Sequence, residues 1–117
     1  MTTSVTIYHN TRCSKSRETL TLIKEKTDDI TIVNYLEVPP TRTALENIIA
    51  LLGFTSARQL MRTGENIYKE LQLKAIDDEN LLLTAMLENP KLIERPIVLS
   101  NGKAKIGRPP ESVLEIL

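Results

Sequence analysis

The chain contains a single cysteine, Cys13, in a strongly polar part of the sequence. Four ionisable side chains lie within four residues of it: His9, Arg12, Lys15 and Arg17. A thiol reacts as its thiolate, which nearby cations stabilise. A lone cysteine is often just a small buried apolar residue, but such a position would have apolar neighbours. The cluster therefore favours a nucleophile that forms a covalent intermediate.

Cys13 falls between a predicted strand and a predicted helix. The alternation over about Val5 to Tyr8 is typical of a strand, and the apolar spacing over about Ser14 to Lys26 is typical of a helix. Cys13 should therefore lie at or just before the helix N-terminus, where unpaired backbone N–H groups favour an anion. This position is a second source of stabilisation for a thiolate.

The following segments predict a βαβ unit and then a run of helices. A strand over about Ile30 to Asn34 completes a parallel pair with the first strand. Pro39 and Pro40 interrupt the chain, and the middle is helical. The predicted helical pieces are one that opens with a capping box at Thr43–Glu46 and stops at Gly53, one over Ala57 to Arg62, one over about Glu65 to Leu71, and one from Asp77 or Asp78 to Pro90.

The C-terminal part predicts a hairpin and a closing helix. Strands over Ile97 to Ser100 and Lys103 to Ile106 flank Asn101-Gly102, the dipeptide typical of a type I′ turn. Pro109-Pro110 suits the first turn of a helix. We expect that helix to bury three residues: Val113, Leu114 and Leu117.

The predicted order is βαβ, helical insert, ββα. It indicates an α/β fold of thioredoxin-like topology, with a mixed four-stranded sheet and helices packed on it. We expect one domain over residues 1–117, with a helical insertion over residues 41–90 that packs as part of the same unit. Nothing in the pattern requires more than a monomer.

Composition excludes several classes of function. Fifteen basic and fifteen acidic residues cancel, so no net charge would attract nucleic acid or an anionic membrane surface. The N-terminus lacks the pattern of a secretory leader, and no apolar run approaches the ~18 residues of a membrane helix. We expect a cytoplasmic protein. A single cysteine cannot form an internal disulfide, so redox chemistry would need a thiol from another molecule.

Four segments, found in the same order, resemble the glutaredoxin-coupled arsenate reductases. The segments are residues 8–17 (YHNTRCSKSR), 35–40 (YLEVPP), 94–98 (ERPIV) and 107–109 (GRP), and the match runs nearly end to end. The resemblance implies a thioredoxin-like fold with a helical insertion. It also implies reduction of arsenate to arsenite, with glutathione as co-substrate, glutaredoxin as partner and neither a bound cofactor nor a metal.

The resemblance also implies roles for individual residues. Cys13 matches the nucleophile of the family, and three arginines match those that hold the arsenic oxyanion: Arg62, Arg95 and Arg108. Guanidinium groups are always charged and fit paired oxygens, so they offset the repulsion between a thiolate and an anionic substrate. Pro96, after Arg95, matches the cis-proline of thioredoxin-like folds.

Two further residues are candidates for the catalytic site. His9, the sole histidine, could support the thiolate, carry a proton or simply end a strand, and we favour thiolate support. Ser16 is expected to donate a hydrogen bond to the Cys13 sulfur or to cap the helix. Arg12 and Arg17 could draw anions in or lie in solvent as ordinary surface residues.

The implied mechanism starts with attack of the Cys13 thiolate on arsenic. Glutathione then attacks the adduct, and transfer of two electrons leaves As(III) and a Cys13–glutathione disulfide that glutaredoxin resolves. Two alternatives remain open. One is a thiol enzyme for another oxyanion or for glutathionylated partners. The other is a non-enzymatic regulator similar to Spx-type proteins, which contact RNA polymerase, although Ser16 stands where their second cysteine would be.

Overall fold

A computed structural model of the chain describes residues 3–117. Within them, one mixed sheet has the strand order β2-β1-β3-β4. β1 is parallel to β2 and antiparallel to β3, which is antiparallel to β4. The predicted α/β fold with a mixed four-stranded sheet is confirmed. The strands are β1 (Val5–His9), β2 (Ile30–Asn34), β3 (Ile97–Ser100) and β4 (Lys103–Ile106).

Helices account for most of the remaining described residues. The α-helices are α1 (Ser14–Lys24), α2 (Arg42–Leu51), α3 (Asn66–Glu70) and α4 (Glu79–Glu88). Short 3-10 helices cover Ala57–Leu60, Leu73–Ala75, Pro90–Leu92 and Pro110–Ile116. Throughout residues 3–117, every helix is too short or too polar to cross a lipid bilayer.

The chain divides into two compact units. The first contains the sheet, α1 and the C-terminal 3-10 helix, and it comprises the chain up to Val38 together with Arg95–Leu117. The second, Pro39–Glu94, contains α2, α3 and α4. The prediction that both belong to one domain, with an insertion over residues 41–90, stays a prediction.

The core of the first unit lies between the sheet and the two helices of that unit. α1 packs against the C-terminal 3-10 helix and against β1. Burial of each large aliphatic side chain here contributes about 1.5–3 kcal/mol. This packing fixes the position at which β1 ends and α1 begins. The buried residues of this core are Val5, Ile7, Ile23, Val98, Val113 and Ile116.

The C-terminal helix buries a different set of residues from the predicted one. Val113 is buried as expected and Leu117 is partly buried against the core, but Leu114 is 38% exposed and Ile116 is buried. The segment is a 3-10 helix, whose three residues per turn align positions i and i+3, whereas the prediction assumed an α-helix. Its inward positions are therefore Pro110, Val113 and Ile116.

The start of α2 also differs from the prediction. The helix cap is Thr41, whose side chain accepts a hydrogen bond from the N–H of Ala44, and Thr43 lies inside the first turn. Both threonines are good caps, so the residue types could not distinguish them. Gly53 ends the segment with a φ of +75°, in the left-handed conformation typical of this position.

In the second unit, α4 packs against α2 and against the 3-10 helix Ala57–Leu60. Arg58 ties two further segments together, because its guanidinium donates to the hydroxyl of Tyr68 and to the carbonyls of Leu73 and Ile76. These hydrogen bonds satisfy the two backbone carbonyls and the hydroxyl within the protein. Arg58 therefore has a structural function in this unit.

Candidate active site

Cys13 occupies the N-cap position of α1, the residue just before its first turn. Its backbone is extended, with φ −94° and ψ 121°. Its N–H donates to the carbonyl of Asn10 at 3.0 Å, and its carbonyl accepts from the N–H of Arg17 at 3.0 Å. The side chain makes no capping hydrogen bond and is 8% exposed. The predicted position at the helix N-terminus is confirmed.

Arg108 brings a positive charge to the sulfur of Cys13. Its Nη2 lies 3.6 Å from Sγ in hydrogen-bond geometry. Its Nε donates to the carbonyl of Arg95 at 2.8 Å, so the guanidinium is held at two points. A guanidinium at this distance stabilises a thiolate and any anion bound next to it.

The backbone of Arg95 is therefore part of the site. The peptide bond from Arg95 to Pro96 is cis, as predicted, and so is that from Arg108 to Pro109. The carbonyl of Pro96 accepts the N–H of Gly107 at 2.9 Å. These contacts join the two segments that carry the predicted arginines of the first unit.

Gly107 is required by a close approach between α1 and the segment after β4. A Cβ atom at this position would lie 2.4 Å from Oγ1 of Thr19 and 2.8 Å from Cγ of Pro96. Thr19 is fully buried, and its hydroxyl donates to the carbonyl of Lys15. The lack of a side chain at residue 107 thus sets how closely Arg108 approaches α1.

His9 and Ser16 form a buried pair beneath the cysteine loop. His9 Nδ1 lies 2.6 Å from Ser16 Oγ, which also accepts the N–H of Asn10 at 3.0 Å. Ser16 thus binds His9 and the loop backbone, where the sequence led us to expect a bond to the Cys13 sulfur or a helix cap. The pair fixes the loop that presents the nucleophile.

Burial, and then the positive charges of Arg17 and Lys24, lower the pKa of His9 below its usual value of 6.5. The imidazole is therefore neutral at neutral pH. A neutral imidazole does not stabilise an anion by charge, so any support of the Cys13 thiolate by His9 would pass through hydrogen bonds. That role stays a prediction.

Arg62 lies in the helical unit. Its guanidinium pairs with Glu65 at 2.8 Å and with Glu94 at 3.8 Å. The backbone N–H of Arg62 donates to the carbonyl of Leu92 at 2.7 Å, and its side chain is 27% exposed. Two carboxylates thus offset its charge, and its predicted role as an oxyanion ligand stays a prediction.

A comparison with known families identifies the chain. A profile described as the ArsC family matches residues 8–116. The chain belongs to the ArsC family. It is 56% identical over 118 residues to the uncharacterised protein YfgD of Escherichia coli, covering 100% of this chain and 99% of that protein. It is 50% identical over 115 residues to a Haemophilus influenzae protein named arsenate reductase, covering 97% and 99%.

Solved structures support the same family. The arsenate reductase from Vibrio cholerae is 48% identical, with a TM-score of 0.95 over 100% of both chains. A chain from Yersinia pestis is 57% identical, with a TM-score of 0.92 over 97% of this chain and 100% of that one. The resemblance to thioredoxin-like arsenate reductases, stated from four sequence segments, is confirmed for family and fold.

Two residues of this ArsC-family site, Asn10 and Gly107, were not predicted from the sequence. Asn10 orders the cysteine loop, because its side-chain oxygen accepts the N–H of Arg12 at 2.9 Å and its carbonyl accepts that of Cys13. An asparagine two residues before a bonded N–H is a known turn pattern and could have been found. Gly107 could not, because its contact with Thr19 joins distant parts of the chain.

Proposed function

We propose that this chain is an arsenate reductase that uses glutathione and glutaredoxin. The observation that carries the proposal is the 3.6 Å contact between Arg108 Nη2 and Cys13 Sγ at the start of α1. A thiolate beside a guanidinium and a helix N-terminus is suited to attack an oxyanion. The relatives and the structure named arsenate reductase support arsenate as that oxyanion.

In the first step, the Cys13 thiolate attacks arsenic. A sulfur–arsenic bond forms, and one hydroxyl group of the arsenate takes up a proton and leaves as water. Arg108 offsets the negative charge that thiolate and oxyanion bring together. Arg95 and Arg62 are proposed as the other ligands of the oxyanion, through their guanidinium groups.

In the second step, glutathione reduces the arsenic. A sulfur–sulfur bond forms between glutathione and Cys13, and the sulfur–arsenic bond breaks with its electron pair left on arsenic. Arsenic leaves as arsenite, As(III), and the protein is left as a mixed disulfide. Glutaredoxin then takes up the glutathione by thiol–disulfide exchange, which releases the Cys13 thiolate. His9 and Ser16 hold the loop throughout.

The setting of this reaction follows from the chain's single cysteine. The reaction requires the thiols of glutathione and glutaredoxin. Because thiols are kept reduced in the cytoplasm, we propose that the protein acts there. All three steps use one copy of the site, so we propose a monomer. No bound cofactor enters the scheme, because glutathione supplies the electrons.

The test is NADPH oxidation in the presence of arsenate, glutathione, glutathione reductase and glutaredoxin. The native chain should turn over, and Cys13→Ser should not. Omission of arsenate is the control. If arsenate has no effect on the native chain while iodoacetamide still alkylates Cys13 rapidly, the site serves a different oxyanion or a glutathionylated protein and the proposal is wrong.

A further inference from the structure

The ends of β1 and β2 bring a second charged segment next to the loop that precedes Cys13. The two strands are parallel, and His9 is in register with Asn34. Segments that leave the carboxyl ends of neighbouring parallel strands lie side by side, where α/β proteins commonly bind ligands. Here those segments are the cysteine loop, residues 10–13, and the turn at residues 34–38.

The turn after β2 is a well-defined element. The carbonyl of Asn34 accepts the N–H groups of Glu37 and Val38 at 3.1 and 2.9 Å. Tyr35 is buried, which holds the turn against the unit. Leu36 and Glu37 therefore have fixed positions beside the cysteine loop.

A groove of about 250 Å³ lies between the loop and the turn. Its volume is below the ~300 Å³ at which pockets begin to enclose a whole small ligand, so a ligand would lie along it. The groove contains a cation, an anion and an apolar side chain that is 42% exposed. It is lined by Asn10, Thr11, Arg12, Asn34, Leu36 and Glu37.

The two charges of the groove are available to a ligand. Arg12 and Glu37 are both exposed, and among residues 3–117 neither forms an ion pair. They come from opposite sides of the groove. The carboxylate of Glu37 would repel an oxyanion such as arsenate, so the charge pattern fits a ligand that carries both signs.

We propose that this groove binds glutathione, with the glycine carboxylate on Arg12 and the γ-glutamyl ammonium on Glu37. The inference rests on the proposed function, in which glutathione attacks the adduct on Cys13. Glutathione has a carboxylate at its glycine end, an ammonium beside a second carboxylate at its γ-glutamyl end, and the thiol between them. Arg12 directly precedes Cys13 in the chain, so a tripeptide held in this way lies along the loop that carries the reacting sulfur.

Binding can be measured without the reaction by titrating S-methylglutathione, which has no free thiol, into ¹⁵N-labelled protein. Amide signals of residues 10–12 and 34–37 should shift. Arg12→Gln and Glu37→Gln should each weaken binding about 3- to 10-fold, as expected for loss of one charge contact. Matched exposed controls, Lys103→Gln and Glu111→Gln, should leave the affinity unchanged.

An ester tests where the glycine end of the ligand lies. The glycine monoethyl ester of S-methylglutathione should bind native protein more weakly, and Arg12→Gln should weaken it no further. Shifts confined to other residues, or native affinity in Arg12→Gln or in Glu37→Gln, would overturn the inference even if arsenate is reduced. Binding in the groove without arsenate-dependent turnover would instead refute the proposed function and leave the groove assignment in place.

Discussion

The guanidinium of Arg108 donates to the sulfur of Cys13 across 3.6 Å, although 95 residues separate the two in sequence. The carbonyl of Arg95 holds the same guanidinium through Nε. The orientation of Arg108 thus depends on two bonds that a lysine could not make together.

Arg108→Lys should therefore lower kcat/KM for arsenate by about 10- to 100-fold, since a hydrogen bond to a charged group contributes roughly 1.5–3 kcal/mol. The rate of Cys13 alkylation by iodoacetamide at pH 7 should fall as well. Arg42→Lys is the matched control, because Arg42 donates to Thr84 in the helical unit. An Arg108→Lys enzyme with native kcat/KM would show that the contact is not used in the reaction.

Gly107→Ala should destabilise the protein by about 1–3 kcal/mol, as overpacking of a tight interior contact does. The new methyl group would overlap Thr19 Oγ1 and Pro96 Cγ. Gly64→Ala is the control, since nothing lies within 4 Å of a Cβ at that position. Urea unfolding of the two variants makes the comparison. Equal urea midpoints for the two variants would mean that α1 and the segment before Arg108 can move apart without loss of stability.

Stability should fall as the pH drops below about 6.5, the usual pKa of an unfolded histidine. Burial, Arg17 and Lys24 lower the pKa of His9 in the fold, so the unfolded chain binds a proton that the folded chain does not. The stability present above pH 6.5 is therefore lost as the pH falls towards the folded pKa of His9.

The free energy of unfolding, measured by urea titration at several pH values, checks the sign of this effect. His9→Asn is the informative variant, because its side-chain oxygen can take the place of Nδ1 opposite Ser16 and does not titrate. The free energy of unfolding of this variant should no longer change with pH just below pH 6.5. At lower pH it should still fall, because carboxylates titrate there. A native chain with a flat profile between pH 5.5 and 6.5 would contradict a lowered pKa.

Arg58→Lys should destabilise the helical unit by about 1–3 kcal/mol, because the carbonyls of Leu73 and Ile76 and the hydroxyl of Tyr68 cannot all be satisfied by one ammonium group. Lys91→Arg, at an exposed position, is the control for the change of cation. Thermal unfolding followed by circular dichroism measures both. Full stability in Arg58→Lys would show that water replaces the guanidinium at these groups.

Local patterns predicted most of the fold. The predicted strands gave β2 at its observed bounds and β1 to within one residue. Asn101-Gly102 identified the hairpin, and both residues have the positive φ that a type I′ turn requires. Errors arose where two local solutions were equally good, as at the start of α2, or where a 3-10 helix replaced an α-helix, as after Pro109.

The site was harder to predict because its contacts join distant segments. Cys13 was identified from its own neighbours, whereas Arg95 and Arg108 came from the family resemblance. Nothing local indicated that the carbonyl of Arg95 would orient Arg108, or that Ser16 would bind His9. Such contacts depend on how strands and helices pack, which residue types alone do not specify.

The N-terminus of α1 has a consequence for the balance between stability and activity. Thr41 and Asp78 cap α2 and α4 with side-chain oxygens, but Cys13 leaves the first turn of α1 without such a bond. A serine there would be expected to stabilise the helix by up to about 1 kcal/mol. The inactive Cys13→Ser protein should therefore have a larger free energy of unfolding than the active protein. Selection for chemistry and selection for stability thus favour different residues at this position.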